Sequence, residues 1–203
     1  MATEHNLGPI GKLGNGYRQE SPYVIDDAPP RVKRSAFFAI VLAQLMWWMP
    51  LLWARFLYAP YEHVSGVNYF VWSLAGFIAL ASAVQAFRIL GAAREGRFTA
   101  LGSLLKTQAI LGAAVCGVII GGWATSGLAI DTPMGSNFYF FSAAVAFFFL
   151  LSTLGEAIHA LRAGSRWGAG YDATSVWRVE NGAYFWLWNC LWMFVFYAIF
   201  FWL

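Results

Sequence analysis

Long apolar stretches with few charged residues alternate along this chain with short turns that hold glycine, proline or charge. A helix needs roughly 20 apolar residues to cross the hydrocarbon core of a bilayer, which is about 30 Å thick. Each stretch is long enough, so the pattern predicts an all-α, polytopic membrane protein built as a five-transmembrane-helix bundle. The predicted spans run from Ser35 to Ala59, Val67 to Leu90, Leu104 to Ile130, Ser136 to Leu161 and Val179 to Leu203.

Residues 1–34 differ from the rest because they hold prolines, an acidic pair and the basic cluster Arg31-Val32-Lys33-Arg34. They lack the apolar core and the small-residue cleavage site of a secretory signal peptide. We therefore predict two regions: a polar cytoplasmic tail over residues 1–34 and a transmembrane domain over residues 35–203.

Composition agrees with a lipid environment, since 60% of the residues are hydrophobic and only 11% are charged, outside the usual soluble mixture. Lys and Arg accumulate in the cytoplasmic loops of membrane proteins. Here they precede the first span and surround the second and fourth connections, whereas "APYEHVSGVN" and "DTPMGSN" contain none. This places the N-terminus inside and the C-terminus outside, and it explains the net charge of +3 without a nucleic-acid partner.

Ionisable residues inside the predicted spans are few, although membrane enzymes and pumps usually depend on them. Arg55 lies near the end of the first span and can extend its guanidinium to the headgroups. Glu156 and His159 share one helical face, and Glu180 opens the last span. A Glu-x-x-His metal site in a helical bundle needs a second such motif, which is absent, so we interpret Glu156 and His159 as a hydrogen-bonded interfacial pair. We predict no catalytic, cofactor-binding or metal-binding residue in this chain.

Three further patterns predict packing. Cys116 and Cys190 fall within spans without a metal-binding spacing, which favours buried thiols. Gly117 and Gly121 have the small-xxx-small spacing that lets helices approach closely, so we expect them to pack span three into the bundle. Gln44 is the deep polar residue of span one, and its amide is expected to hydrogen-bond to a neighbouring helix or to a backbone carbonyl, because an orphan amide in lipid is costly. Tryptophan and tyrosine near the span boundaries, Trp72 among them, favour the headgroup zone.

The closing stretch, "VENGAYFWLWNCLWMFVFYAIFFWL", resembles the last helix of subunit III of the haem-copper oxidases. That helix opens with a glutamate and continues through Tyr-Trp-His-Phe-Val-Asp. Glu180, Phe185 and Trp186 match the glutamate, tyrosine and tryptophan, while Leu187 and Cys190 stand where the histidine and aspartate would be.

Earlier segments resemble the family in the same order. "AQLMWWMPLLWARF" is similar to the family's Ser-Glu-Val-Met-Phe-Phe stretch followed by Trp-Ala, with Gln44 in place of the glutamate and Trp53 matching the tryptophan. "GSNFYFFSA", which begins at Gly135 and Ser136, is like the start of the helix that carries His-x-x-His. In this register Val145 and Phe148 take the histidine positions. A shifted register would put Glu156 and His159 there but would abandon the Gly135-Ser136 anchor.

The resemblance covers five spans and omits the family's first two helices. It implies a short, cytochrome c oxidase subunit III-like component of a terminal oxidase, which shields and stabilises the catalytic subunit in a bacterial inner membrane. The resemblance then implies that the partner catalytic subunit holds the haem and copper and that this chain binds no cofactor. Lipids remain possible ligands. An accessory protein of a nitric oxide reductase and a standalone small transporter remain alternative interpretations.

Overall fold

The computed structural model describes residues 30–58, 64–166 and 176–202. Within these ranges the chain is helical apart from short turns, and each of the five helices is long and apolar enough to cross a membrane. The predicted five-helix membrane bundle is thereby confirmed. The helices are α1 (Pro30–Tyr58), α2 (Tyr69–Arg94), α3 (Phe98–Ala124), α4 (Pro133–Arg166) and α5 (Val176–Phe201).

Several helix ends differ from the predicted spans. The helix α1 begins at Pro30, inside the segment predicted as a tail, because proline lacks the N–H that the first helical turn leaves unbonded. The rest of the predicted tail lies outside the described residues. The largest shift concerns α3, which was predicted over residues 104–130 and ends at Ala124. Beyond it, the N–H of Gly127 donates to the carbonyl of Gly66 at 2.7 Å, so this apolar segment pairs with another loop and leaves the helix.

Side chains and backbone atoms in two connections define helix starts. Asn68 caps α2, because its side-chain oxygen accepts from the N–H of Val71 at 3.3 Å. Thr132 does the same for α4, where its hydroxyl accepts from the N–H of Gly135 at 3.0 Å. Both satisfy N–H groups that a helix N-terminus leaves without a partner.

Four helices form a closed ring in which α2 packs on α3, α3 on α4, α4 on α5 and α5 on α2. Neighbours run antiparallel, since Ser73 near the start of α2 bonds Tyr197 near the end of α5. At the opposite end, Arg94 pairs with Glu180. The end of the bundle where α2 stops is called the Arg94 end below, and the end where α2 starts is the Asn68 end.

The first helix lies outside this ring and packs chiefly against α4 and α5. Trp48 stacks on Trp192 with ring centroids 4.5 Å apart, and Arg55 lies over the ring of Phe200 at 5.8 Å. Only 2% of Arg55 is exposed, so its side chain turns into the bundle and the expected extension to the headgroups is wrong. The cation–π contact is one reason that this position is favourable.

Aromatic side chains fill the interior of the four-helix ring toward the Asn68 end. Trp72 packs edge-on against Phe138 at 4.9 Å and lies 5.4 Å from Phe196. Both Trp72 and Phe138 are buried, so the ring of Trp72 faces the other helices and not lipid. Edge-to-face ring pairs add stability beyond the area they bury, and they give this end of the bundle an apolar core.

Close approach on α3 occurs at glycines other than the predicted pair. A Cβ placed on Gly117 or on Gly121 would meet nothing within 4 Å. A Cβ on Gly122, by contrast, would lie 2.8 Å from the ring of Trp72, and one on Gly112 would overlap side chains of two other helices. The prediction that Gly117 and Gly121 pack α3 into the bundle is therefore wrong, because these two residues face away from it.

Candidate functional site

Polar side chains are buried in the bundle in larger number than the few ionisable residues of the spans predicted. Most are amides and hydroxyls, and they concentrate between the middle of the ring and the Arg94 end. The buried polar or charged residues are Gln44, Arg55, Ser82, Gln85, Gln108, Asn137, Ser142, Ser152, Thr153, Glu156 and Asn189.

Ser82 on α2 connects three helices at the centre of this region. Its hydroxyl accepts a hydrogen bond from the indole N–H of Trp186 on α5 at 2.9 Å and donates to the carbonyl of Ala79 at 2.7 Å. Its own carbonyl accepts from the Nε2 of Gln108 on α3 at 3.2 Å. The thiol of Cys190 lies 3.5 Å from the hydroxyl, and this buried, unpaired cysteine confirms the interpretation made for it.

A second connection joins α4 to α5. The Nδ2 of Asn189 donates to the hydroxyl of Ser152 at 2.7 Å and to the carbonyl of Phe148 at 3.2 Å. On the neighbouring side of the ring, the Nε2 of Gln85 donates to the carbonyl of Leu104 at 3.2 Å. Hydrogen bonds between membrane helices are each worth roughly 0.6–2 kcal/mol, so these contacts fix how the four helices are rotated.

Gly112 makes room where this polar region meets the packed core. A Cβ on Gly112 would overlap the Oγ1 of Thr153 on α4 and the ring of Trp186 on α5. Thr153 is held in place by its hydroxyl, which donates to the carbonyl of Phe149 at 2.7 Å. The glycine therefore lets side chains of α4 and α5 reach α3.

Glu156 is buried beside Gly182 of α5, with 3% of its surface exposed. Its Oε1 would lie 3.1 Å from a Cβ placed on Gly182, so the missing side chain leaves space for the carboxyl group. Its Oε2 has no hydrogen-bond partner among the described residues. His159 is half-buried, and the hydrogen bond expected between the two residues is not formed by this oxygen.

Gln44, the first of the family-matching positions, is buried as expected. Its Oε1 has no hydrogen-bond partner in the described part of the chain. The hydrogen bond expected of the Gln44 amide, to a neighbouring helix or to a backbone carbonyl, is therefore not formed through this oxygen. The buried side chain lies on α1 one turn before the Trp48 stack, in the helix that packs against α4 and α5.

The other family-matching positions are scattered over the bundle. Trp53 is 60% exposed. Gly135 and Ser136 belong to the first turn of α4, where the hydroxyl of Ser136 donates to the carbonyl of Thr132 at 2.7 Å. Glu180 lies at the Arg94 end in an ion pair 3.1 Å long, and only Trp186 belongs to the polar region. These positions do not form one site.

No group of three or more His, Cys, Asp or Glu side chains that could hold a metal ion occurs among the described residues. The residues that hydrogen bonds bring together are Ser82, Gln108 and Trp186, and none of them is ionisable. Uncharged Ser, Gln and Asn within apolar spans were the signal that could have found them, because such groups need partners in lipid.

No family model matches this chain, and no curated protein matches it in sequence.

Proposed function

We propose that this chain is a non-catalytic, subunit III-like component of a haem-copper respiratory complex of the terminal oxidase type. Its role there is to shield and stabilise the catalytic subunit, which carries the haem and copper. The observation that carries the proposal is the order of short motifs from Gln44 through Gly135 to Trp186, which resembles the order in that family.

The uneven burial of the helices supports a partner at α1. Only 11% of the α1 span is buried, compared with 44% of the α4 and α5 spans. Aromatic residues and methionine are enriched in the cores of protein interfaces, and the outward side of α1 is rich in both. Its exposed large side chains include Phe38, Met46, Trp47, Trp53 and Phe56.

The orientation belongs to the same proposal, with the Arg94 end in the cytoplasm of a bacterium and the C-terminus outside the inner membrane. Basic side chains gather at the Arg94 end, which suits the cytoplasmic side. Those on α2, α3 and the turn between them are Arg88, Arg94, Arg97 and Lys106.

Two alternatives differ in what they require. An accessory role in a nitric oxide reductase needs the same bundle and differs only in the partner. A standalone transporter favours interrupted helices and polar groups at mid-depth. The polar region around Ser82 fits that expectation, whereas α1 remains helical through Pro50, which does not.

Purification through an N-terminal tag on this chain tests the proposal. In mild detergent we expect a larger membrane subunit to co-purify, with a haem spectrum that is absent from untagged controls. Deleting this chain should leave that spectrum intact and shorten the working lifetime of the complex, because only shielding contacts are lost. A chain that purifies without any haem protein, even after cross-linking in the native membrane, contradicts the proposal. Oxygen and nitric oxide consumption by the purified complex then separates oxidase from reductase.

A further inference from the structure

Several buried side-chain oxygen atoms have no hydrogen-bond donor among the described residues, the Oδ1 atoms of Asn137 and Asn189 among them. Two of these atoms belong to residues at the same level of the ring: the Oε2 of Glu156 on α4 and the Oε1 of Gln108 on α3. Gln108 is fully buried and Glu156 is 97% buried. Leaving a buried acceptor unbonded costs about 1–3 kcal/mol, and more for a charged group, so two such atoms in one region need an explanation.

The orientation of the Gln108 amide follows from its one bond. The amide group ends in two atoms, and the one that is not the unbonded Oε1 lies 3.2 Å from the carbonyl oxygen of Ser82. A carbonyl oxygen can only accept a hydrogen bond. That atom must therefore be the NH₂ group, and exchanging the amide atoms would place two oxygens against each other. The unbonded atom of Gln108 is thus an oxygen, which needs a hydrogen-bond donor.

Helix geometry places both residues in one layer. Gly112 lies against Thr153 and Trp186, which fixes a common level on α3, α4 and α5. About one turn from this level toward the Arg94 end, these helices carry Gln108, Glu156 and Gly182, respectively, because α3 runs antiparallel to α4, and α4 to α5. The close approach of the Glu156 carboxyl group to Gly182 agrees with this alignment. Gly182 adds no side chain to the layer.

We propose that Glu156 binds a proton, and that its Oε2–H donates a hydrogen bond to the Oε1 of Gln108. One proton then satisfies both oxygens and removes a charge from the core of a membrane protein, where an unpaired carboxylate is expensive. The inference is a proton-binding site formed by α3 and α4, and it is independent of any partner proposed above.

The charged groups of the packed helices have the following described contacts and exposures. Arg94 of α2 pairs with Glu180 of α5, and Arg178 of α5 lies over the Trp177 ring at 5.7 Å. Arg88 of α2 and Lys106 of α3 are exposed. His159 shares α4 with Glu156 and is half-buried. The proposal assigns a proton to the Glu156 carboxyl because no described residue donates a hydrogen bond to its Oε2.

Infrared spectroscopy of the full chain in nanodiscs at neutral pH tests the proposal, because a carboxylic acid has a C=O band that a carboxylate lacks. We expect this band in the wild type, a downward shift in D₂O, and its loss in Glu156→Gln. The band should move to higher frequency in Gln108→Leu, where the acceptor is removed. Glu180→Gln is the matched control and should leave the band unchanged.

Two results would overturn the proposal. Absence of an acid band that depends on Glu156 means that the residue is a carboxylate, held by a bound cation or by water. A band that is unmoved in Gln108→Leu means that Gln108 is not the acceptor. Should Glu156→Gln fail to fold, the wild-type chain labelled with carboxyl-¹³C glutamate gives the same decision, because only a protonated glutamate shows an isotope-shifted acid band at neutral pH.

Discussion

Replacing Gly112 with alanine should destabilise the packed core of the bundle. The new methyl group would occupy space taken by the Oγ1 of Thr153 and by the ring of Trp186. Thr153 can yield only by breaking its bond to Phe149. Trp186 can yield only by moving its indole N–H from Ser82. The change therefore overpacks the core and strains two hydrogen bonds at once.

The magnitude follows from these contacts. Overpacking a core with one extra group typically costs 1–3 kcal/mol. We expect the upper part of this range, about 2–3 kcal/mol, since both neighbours are fixed by hydrogen bonds. For a chain of this length, 1 kcal/mol corresponds to roughly 2–4 °C in Tm, so the Tm of Gly112→Ala should fall by roughly 4–12 °C.

The assay compares the thermal unfolding of purified chains in one detergent, with two matched glycines of the same helix as controls. Gly117→Ala and Gly121→Ala add the same methyl group where nothing lies within 4 Å, so each should change stability by no more than about 0.5 kcal/mol. Adding Thr153→Ala to Gly112→Ala should restore part of the loss, because the overlapping hydroxyl is gone. Equal losses at Gly112 and Gly117 would refute the assigned rotation of α3.

The remaining predictions concern α1, α4 and the topology. Gln44→Leu should raise the free energy of unfolding by about 1 kcal/mol, because it removes a buried oxygen without a partner; a clear loss in chemical denaturation would show that Gln44 makes a bond. Thr132→Ala should lower the stability by about 1 kcal/mol through loss of the α4 cap, whereas Thr132→Ser should retain it, and equal Tm values for the two would contradict this. A cysteine added after Leu203 should react with an impermeant probe only from outside the cell, and labelling from the cytoplasmic side alone would reverse the orientation.

The number and approximate position of the helices could be predicted because length and apolarity are local properties of a span. The end of α3 could not, since residues 125–130 are apolar enough to continue a helix. Their course depends on the bond from Gly127 to Gly66, a contact between distant parts of the chain. Because Gly127 and Gly66 are far apart in the sequence, their contact, and with it the end of α3, could not be predicted.

The sequence did not indicate how each helix is rotated about its own axis. At about 100° per residue, Gly117 lies about 140° and Gly121 about 180° around α3 from Gly112. The spacing of Gly117 and Gly121 predicted close packing, but only the partners of Gly112 determine which side of α3 faces the ring. The same rotation turns Gln108, about one turn before Gly112, toward the ring, and no pattern along a single helix reports it.

The position of α1 outside the ring has a consequence for the order of assembly during synthesis. The ribosome produces α1 before α4 and α5, which form the surface that receives it. Trp48 has no Trp192 to stack on until α5 is in the bilayer. Of these five helices, the first to be synthesised therefore cannot dock fully until the fifth is present, and until then its aromatic side chains depend on lipid or on the insertion machinery for cover.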